Sequence, residues 1–217
     1  MFFFFNYFIP NIYYDFKLES FSHKAFAKVF SAVLQVPSVR LSAPRVLHIC
    51  DTYLDTPERF FEQNKIAFRV RNTDGKWEAT YKTRTEVTNG RAVRREESLP
   101  LPGIKNLAQA LAFLADKKEW EHLPLTGLKM LFALRNKRTS YDILFNGVEA
   151  ELSLDNFMIC VCGRRVLMKE AELELKKGQP DTLDELARQI TQASGLAYAR
   201  VSKVKTALAL LALWGNK

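Results

Sequence analysis

Three cysteines, three histidines and nine glycines in 217 residues leave little room for several common kinds of chemistry. Cys50, Cys160 and Cys162 are odd in number and form no CxxC pair, which excludes a zinc ribbon or a dithiol redox motif and points to a reducing, cytoplasmic compartment. His23, His48 and His122 have no mutual spacing that suits metal ligation. The glycines build neither a P-loop nor a dinucleotide fingerprint. No apolar stretch approaches the roughly 20 residues of a membrane-spanning helix. The run Met1–Ile9 is short, lacks a basic leader and a cleavage site, and is followed by Pro10, so residues 1–10 read as an apolar N-terminal extension. A linker rich in Pro, Ser and Gly is also missing, as is any internal repeat, and residues 1–217 therefore read as one domain.

What is present is a 47% hydrophobic chain with a net charge of +8 and a pI near 9.4. That balance favours an anionic partner, whether phosphate, nucleotide, nucleic acid or membrane surface. Period-two alternation predicts strands over Tyr13–Glu19, Ile66–Arg71, Trp77–Arg84, Ala92–Leu101, Tyr141–Phe145, Val148–Asp155 and Met168–Lys176. Helical spacing predicts helices over Phe21–Leu34, Ile104–Leu114, Leu183–Ala193 and Val204–Trp214, the third capped by Asp181 or Thr182. Turn residues at Asn72–Gly75, Thr88–Gly90, Asn146–Gly147 and around Gly163 make successive strands antiparallel.

Residues two apart in a strand share a face, so the distribution of charge can be assigned to faces. Arg69 and Arg71 oppose Phe68 and Val70, and Glu78, Thr80, Lys82 and Arg84 oppose Trp77, Ala79 and Tyr81. Arg94, Glu96 and Ser98 form a third polar face, less clean because Arg95 and Glu97 lie opposite. Two further strands are acidic on one side: Glu149, Glu151, Ser153 and Asp155, then Glu170, Glu172 and Glu174. Aligned glutamates repel one another, and facing Arg and Lys or bound cations relieve that repulsion. An α+β fold, a closed antiparallel β-barrel with a polar lumen and helices packed outside, accounts for strands with one charged and one apolar face. Such a lumen suits a triphosphate, because guanidinium groups chelate phosphate oxygens and carboxylates hold a hard divalent cation. The basic residues form no continuous run or stacking motif, which argues against nucleic acid.

In order along the chain these residues resemble the CYTH domain, or triphosphate tunnel metalloenzyme. Tyr53-Leu-Asp55-Thr56-Pro57 is similar to the family's Y-x-D-T-P, and Ile66-Ala-Phe-Arg69-Val-Arg71 to its a-L-R-x-R strand, with Lys82 in the lysine strand. Gly90 to Glu96 is similar to G…R-x-E, placing Arg94 and Glu96, and Arg138 resembles the arginine of the later basic strand. Leu154-Asp155, Glu170-Ala-Glu172-Leu-Glu174-Leu and Ser202-Lys203 resemble the family's L-D, E-x-E-L-E-L and C-terminal S-K. At the amino end the family's E-x-E-x-K is replaced by Tyr13-Tyr14-Asp15-Phe16-Lys17, so the first glutamate position holds a tyrosine. Asn64 and Lys65 stand where the family carries a glycine before the arginine strand, and Asn tolerates the left-handed backbone such a turn needs.

The resemblance implies divalent-metal-dependent hydrolysis of a triphosphate, most simply inorganic tripolyphosphate. It implies phosphate binding by Lys17, Arg69, Arg71, Lys82, Arg94, Arg138 and Lys203. Asp15, Glu170, Glu172 and Glu174 are then the candidate ligands of Mg2+ or Mn2+, with Glu96 and Asp155 orienting basic neighbours. Adenylate cyclase chemistry, hydrolysis of thiamine or nucleoside triphosphates, and metal-independent phosphate binding without turnover remain open alternatives, as does assembly into a homodimer.

Overall fold

The computed structural model describes residues 11–19, 22–83, 86–88, 91–199 and 201–215, so the apolar extension over 1–10 and Arg84 lie outside the described residues. Its strands are β1 (Asn11–Glu19), β2 (Arg40–Leu41), β3 (Arg45–Asp55), β4 (Ala67–Thr73), β5 (Lys76–Lys82), β6 (Glu86–Thr88), β7 (Arg91–Pro100), β8 (Lys129–Phe145), β9 (Val148–Val161) and β10 (Arg164–Lys177). Its helices are α1 (His23–Gln35), α2 (Phe60–Gln63), α3 (Leu107–Ala115), α4 (Pro180–Ser194) and α5 (Lys203–Trp214). The pairs Asp74 and Gly75, Asn146 and Gly147, and Cys162 and Gly163 all have positive φ, the conformation that two-residue hairpin turns demand.

The strands form a curled antiparallel sheet in the order β1-β10-β9-β8-β3-β4-β5-β7-β6, with β2 on β8 and an additional ladder between β1 and β7. β3 and the first half of β8 carry no uniform face in sequence. Along β3 one face passes from Leu47 and Ile49 to Asp51 and Tyr53, mixing apolar and charged groups, and the alternation is lost.

The outer face of the sheet is apolar and buried under helices. Phe16, Leu18, Ile143, Leu152 and Leu173 pack against Phe26, Val29 and Val33 of α1 and Leu183, Leu186 and Ile190 of α4. Phe68, Val70 and Ala79 pack against Phe61 of α2, Ala110 and Leu114 of α3, and Trp120. Each such large side chain, fully buried, contributes about 1.5–3 kcal/mol. A third cluster joins Tyr53, Phe132, Leu134, Phe157 and Ile159 to Ala207 of α5. These strand residues share a face with Asp51, Asn136 and Asp155, so α5 covers one end of the charged face.

Helix starts follow local capping chemistry: Ser22, Asn106 and Ser202 accept from the backbone N–H of Ala25, Gln109 and Lys205. Against expectation, α4 is not capped by Asp181 or Thr182. It begins at Pro180 after Gln179, because the fixed φ and missing N–H of proline suit the first helical position.

The turn after α2 also departs from expectation. The left-handed residue is Lys65, at φ 57, not Asn64, at φ −89. Lys65 N donates to Glu62 O and Ile66 N to Phe61 O, a Schellman ending whose left-handed position favours glycine. Since Lys65 is exposed, Lys65→Gly should stabilise the protein by about 1 kcal/mol, a gain of roughly 2–4 °C in melting temperature by calorimetry.

Candidate functional site

The ladder registers gather the charged residues on one face. Lys17 of β1 lies opposite Glu172 of β10, which lies opposite Ser153 of β9, and Glu170 lies opposite Asp155, which lies opposite Arg138 of β8. Asp51 of β3 faces Arg71 of β4, Arg69 faces Thr80 of β5, and Lys82 faces Glu96 of β7. Residues directly opposite in an antiparallel pair share a face, so these side chains project to the side that the outer helices leave uncovered.

Two ion clusters result. In the first, Asp155, Glu170 and Glu172 bring one carboxylate oxygen each within 4.8 Å of one another. Lys203, at the start of α5, places Nζ 2.5 Å from Asp155, 2.9 Å from Glu170 and 3.2 Å from Glu172. Lys17 bonds Glu172 and lies 3.3 Å from Glu170. Arg138 clasps both oxygens of Asp155 at 2.7 Å and reaches Glu172 at 2.8 Å. In the second, Arg71 clasps Asp51 at 2.6 and 2.8 Å, Arg69 stands 3.5 Å from the same carboxylate, and Lys82 lies 2.5 Å from Glu96.

Burial opposes ionisation throughout, and the partners decide the outcome. Burial raises the Asp51 carboxyl, yet Arg69 and Arg71 overcome it and hold the group well below the usual carboxylate range. Asp155 and Glu172 are likewise brought down despite burial, Asp155 by Lys203 and Arg138, Glu172 by Lys17, Lys203 and Arg138. Glu170 moves up, because burial outweighs its two lysines and Glu172 adds a like charge beside it. Lys17 and Lys203 are buried but pushed up by the carboxylates they touch.

Some expected site residues meet and others do not. Lys17, Arg138, Lys203, Glu170 and Glu172 converge in the first cluster, and Asp155, expected to orient a neighbour, stands inside its carboxylate group. Glu174 instead pairs with Lys176 at 2.9 Å, and neither it nor the buried Asp15 opposite it in the ladder belongs to that group. Arg94 occupies the β7 position opposite Tyr13, but its side chain lies outside the described residues.

Asp51 is the residue that sequence reasoning missed. Its signal was its position two and four residues before Tyr53 and Asp55, on the same strand face. Asp55 itself accepts from the backbone N–H of Thr56, Phe61 and Glu62, so it holds the turn into α2. Among the described residues, Arg59 Nη1, Arg69 Nε, Asn136 Oδ1 and Ser140 Oγ are buried without a hydrogen-bond partner, and the last three belong to the charged face. Buried polar atoms normally find partners, so these donors and acceptors suit a polar guest. Chemically, the face offers planar guanidinium forks for anionic oxygens and a hard-oxygen group for a cation.

The CYTH domain matches residues 23–208. The inorganic triphosphatase of Haemophilus influenzae is 28% identical over 176 residues, 79% of this chain, and the chain spans 49% of that relative's length. A Hippeastrum protein studied as an adenylyl cyclase, with a dominant triphosphatase activity, superposes with a TM-score of 0.66 at 18% identity, covering 91% of this chain and 95% of its own. A Pyrococcus horikoshii protein superposes at 0.60 and 18% identity, covering 90% and 99%. The Mimivirus capping enzyme triphosphatase superposes at 0.51 and 13% identity, covering 85% and 90%. These structures share the fold. No helix among the described residues is long and apolar enough to cross a membrane.

Asp51→Asn removes the charge that balances two buried guanidinium groups and should cost about 3 kcal/mol at pH 7 by urea unfolding. Because the folded carboxyl titrates below its unfolded value near 3.9, this advantage of the wild type is full above about pH 4. It should shrink as the pH falls further, toward the depressed folded value. An equal penalty at pH 7 and pH 2 would contradict the pairing.

Proposed function

From the membership of this chain in the CYTH domain family, we propose that it is a triphosphatase that hydrolyses inorganic tripolyphosphate with a divalent metal inside a tunnel. The observation that carries this reading is the single face on which Arg69, Arg71, Lys82, Arg138, Lys17 and Lys203 stand against Asp155, Glu170 and Glu172. The Haemophilus relative, an inorganic triphosphatase, supports the same substrate. Closure of the curled sheet into a barrel is supported by β1, which makes ladders to β10 on one side and β7 on the other. Residues 1–217 are then one domain around that tunnel.

Arg69, Arg71, Lys82 and Arg138, with Arg94, Lys17 and Lys203, bind the phosphate oxygens, and Asp51 and Glu96 orient Arg71 and Lys82. The unpartnered Nε of buried Arg69 supports this role. Phosphoryl transfer asks mainly for alignment and stabilisation of spreading negative charge, which a fixed cage of cations supplies. The donor set fits a hard cation: Asp155, Glu170 and Glu172 offer only carboxylate oxygens, and an ammonium group already sits among them. Mg2+ or Mn2+ held there, with Asp15 and Glu174 on the flank, would neutralise phosphate charge and favour attack by water.

Phosphate release from tripolyphosphate should require Mg2+ or Mn2+ and stop with chelator. Arg71→Ala and Glu172→Ala should each lower kcat/KM by about 10²–10³-fold. Absence of release under every metal condition would contradict the proposal, and full activity in both variants would contradict the assigned site.

A further inference from the structure

Lys203 Nζ contacts one oxygen of each carboxylate in the three-carboxylate group, at 2.5, 2.9 and 3.2 Å. An ammonium with three carboxylate oxygens around it occupies the place that a divalent ion would take. Lys17 Nζ shares the Glu170 and Glu172 oxygens, and Arg138 takes the other side of Asp155 and Glu172. Three carboxylates thus meet three cations, with Glu151 3.8 Å from Arg138 as a fourth carboxylate at the edge, so their charge is largely answered before any ligand arrives. A divalent ion entering it must drive an ammonium away and leave buried positive charge uncompensated, which is unfavourable in a site where pairs interact by several kcal/mol. A polyanion changes that balance, because its oxygens offer the displaced lysines new partners and leave the carboxylates to the metal.

We propose that the Lys203 ammonium is an exchangeable internal cation: it holds the Asp155–Glu170–Glu172 group until metal and triphosphate arrive together, making their binding cooperative. The inference rests on the metal-dependent reading above and adds the order it imposes. Lys203 is suited to the exchange by its place. It is the first residue of α5, directly after the capping Ser202, on a long side chain that reaches the cluster from beyond the sheet. Lys203 therefore blocks the metal in the free protein and grips phosphate in the loaded one.

The test is Mn2+ binding to the full chain, measured by calorimetry with and without a non-hydrolysable imidotriphosphate, for wild type, Lys203→Gln and Lys203→Arg. Without the triphosphate, Lys203→Gln should bind Mn2+ at least about tenfold more tightly than wild type, whereas Lys203→Arg should gain nothing. The triphosphate analogue should tighten Mn2+ binding strongly in wild type and much less in Lys203→Gln. Circular dichroism identifies the folded protein, and a Lys203→Gln variant that folds only on adding Mn2+ also supports the exchange. Unchanged or weaker Mn2+ affinity in Lys203→Gln overturns it, as does equal coupling in both proteins. If wild type hydrolyses tripolyphosphate with Mn2+ while those results fail, the exchange alone is wrong. If no protein binds Mn2+ and none hydrolyses tripolyphosphate, the functional reading falls with it.

Discussion

Removing a charged side chain from water costs several kcal/mol, and it is tolerated only where an opposite charge sits against it. This protein turns one face of its sheet into a set of such pairs. Asp51 is held by Arg71 and Arg69, Glu96 by Lys82, and Asp155 by Arg138 and Lys203. The pairs do not explain the stability of the fold, because apolar residues of similar volume would serve that purpose as well or better. Their value lies in position: each carboxylate fixes the direction of a cation, and the cations against Asp51 and Asp155 favour the ionised form of those two carboxyls.

The apolar outer face makes this arrangement affordable. Two clusters under α1 with α4 and under α2 with α3 anchor the same strands from the other side. Helix α5 differs from these, since it packs over the charged side, onto Tyr53, Phe132 and Phe157, and delivers Lys203 at its first turn. One helix therefore both closes an end of the charged face and supplies a cation to its acidic cluster.

Much of this was legible from the sequence. Alternation in Ile66–Arg71, Trp77–Arg84 and Met168–Lys176 showed which residues share a face, and the turn residues at Asp74 and Asn146 showed which strands are neighbours. What alternation could not show was the pairing across the sheet. Asp51 remained hidden because β3 mixes apolar and charged groups on one face, and its partners Arg69 and Arg71 lie on another strand. Asp155 read as a local orienting group, and only the register sets it opposite Glu170; Glu174, the weakest of the three glutamate candidates in sequence, shares their face but pairs with Lys176. Lys65 showed the reverse limit: an unfavourable residue type sits in a left-handed turn because the Schellman bonds around it hold the backbone there.

On the proposed reading, one charged face receives a metal and a triphosphate together. Anomalous diffraction from crystals grown with Mn2+ and a non-hydrolysable imidotriphosphate tests it most directly. The expected result is an Mn2+ peak bound by Asp155, Glu170 and Glu172, with phosphate oxygens on Arg69, Arg71 and Arg138 and with Lys203 turned from the carboxylates to the phosphate chain. An Mn2+ peak away from these three carboxylates, or a phosphate chain bound on the outer face of the sheet, would contradict it.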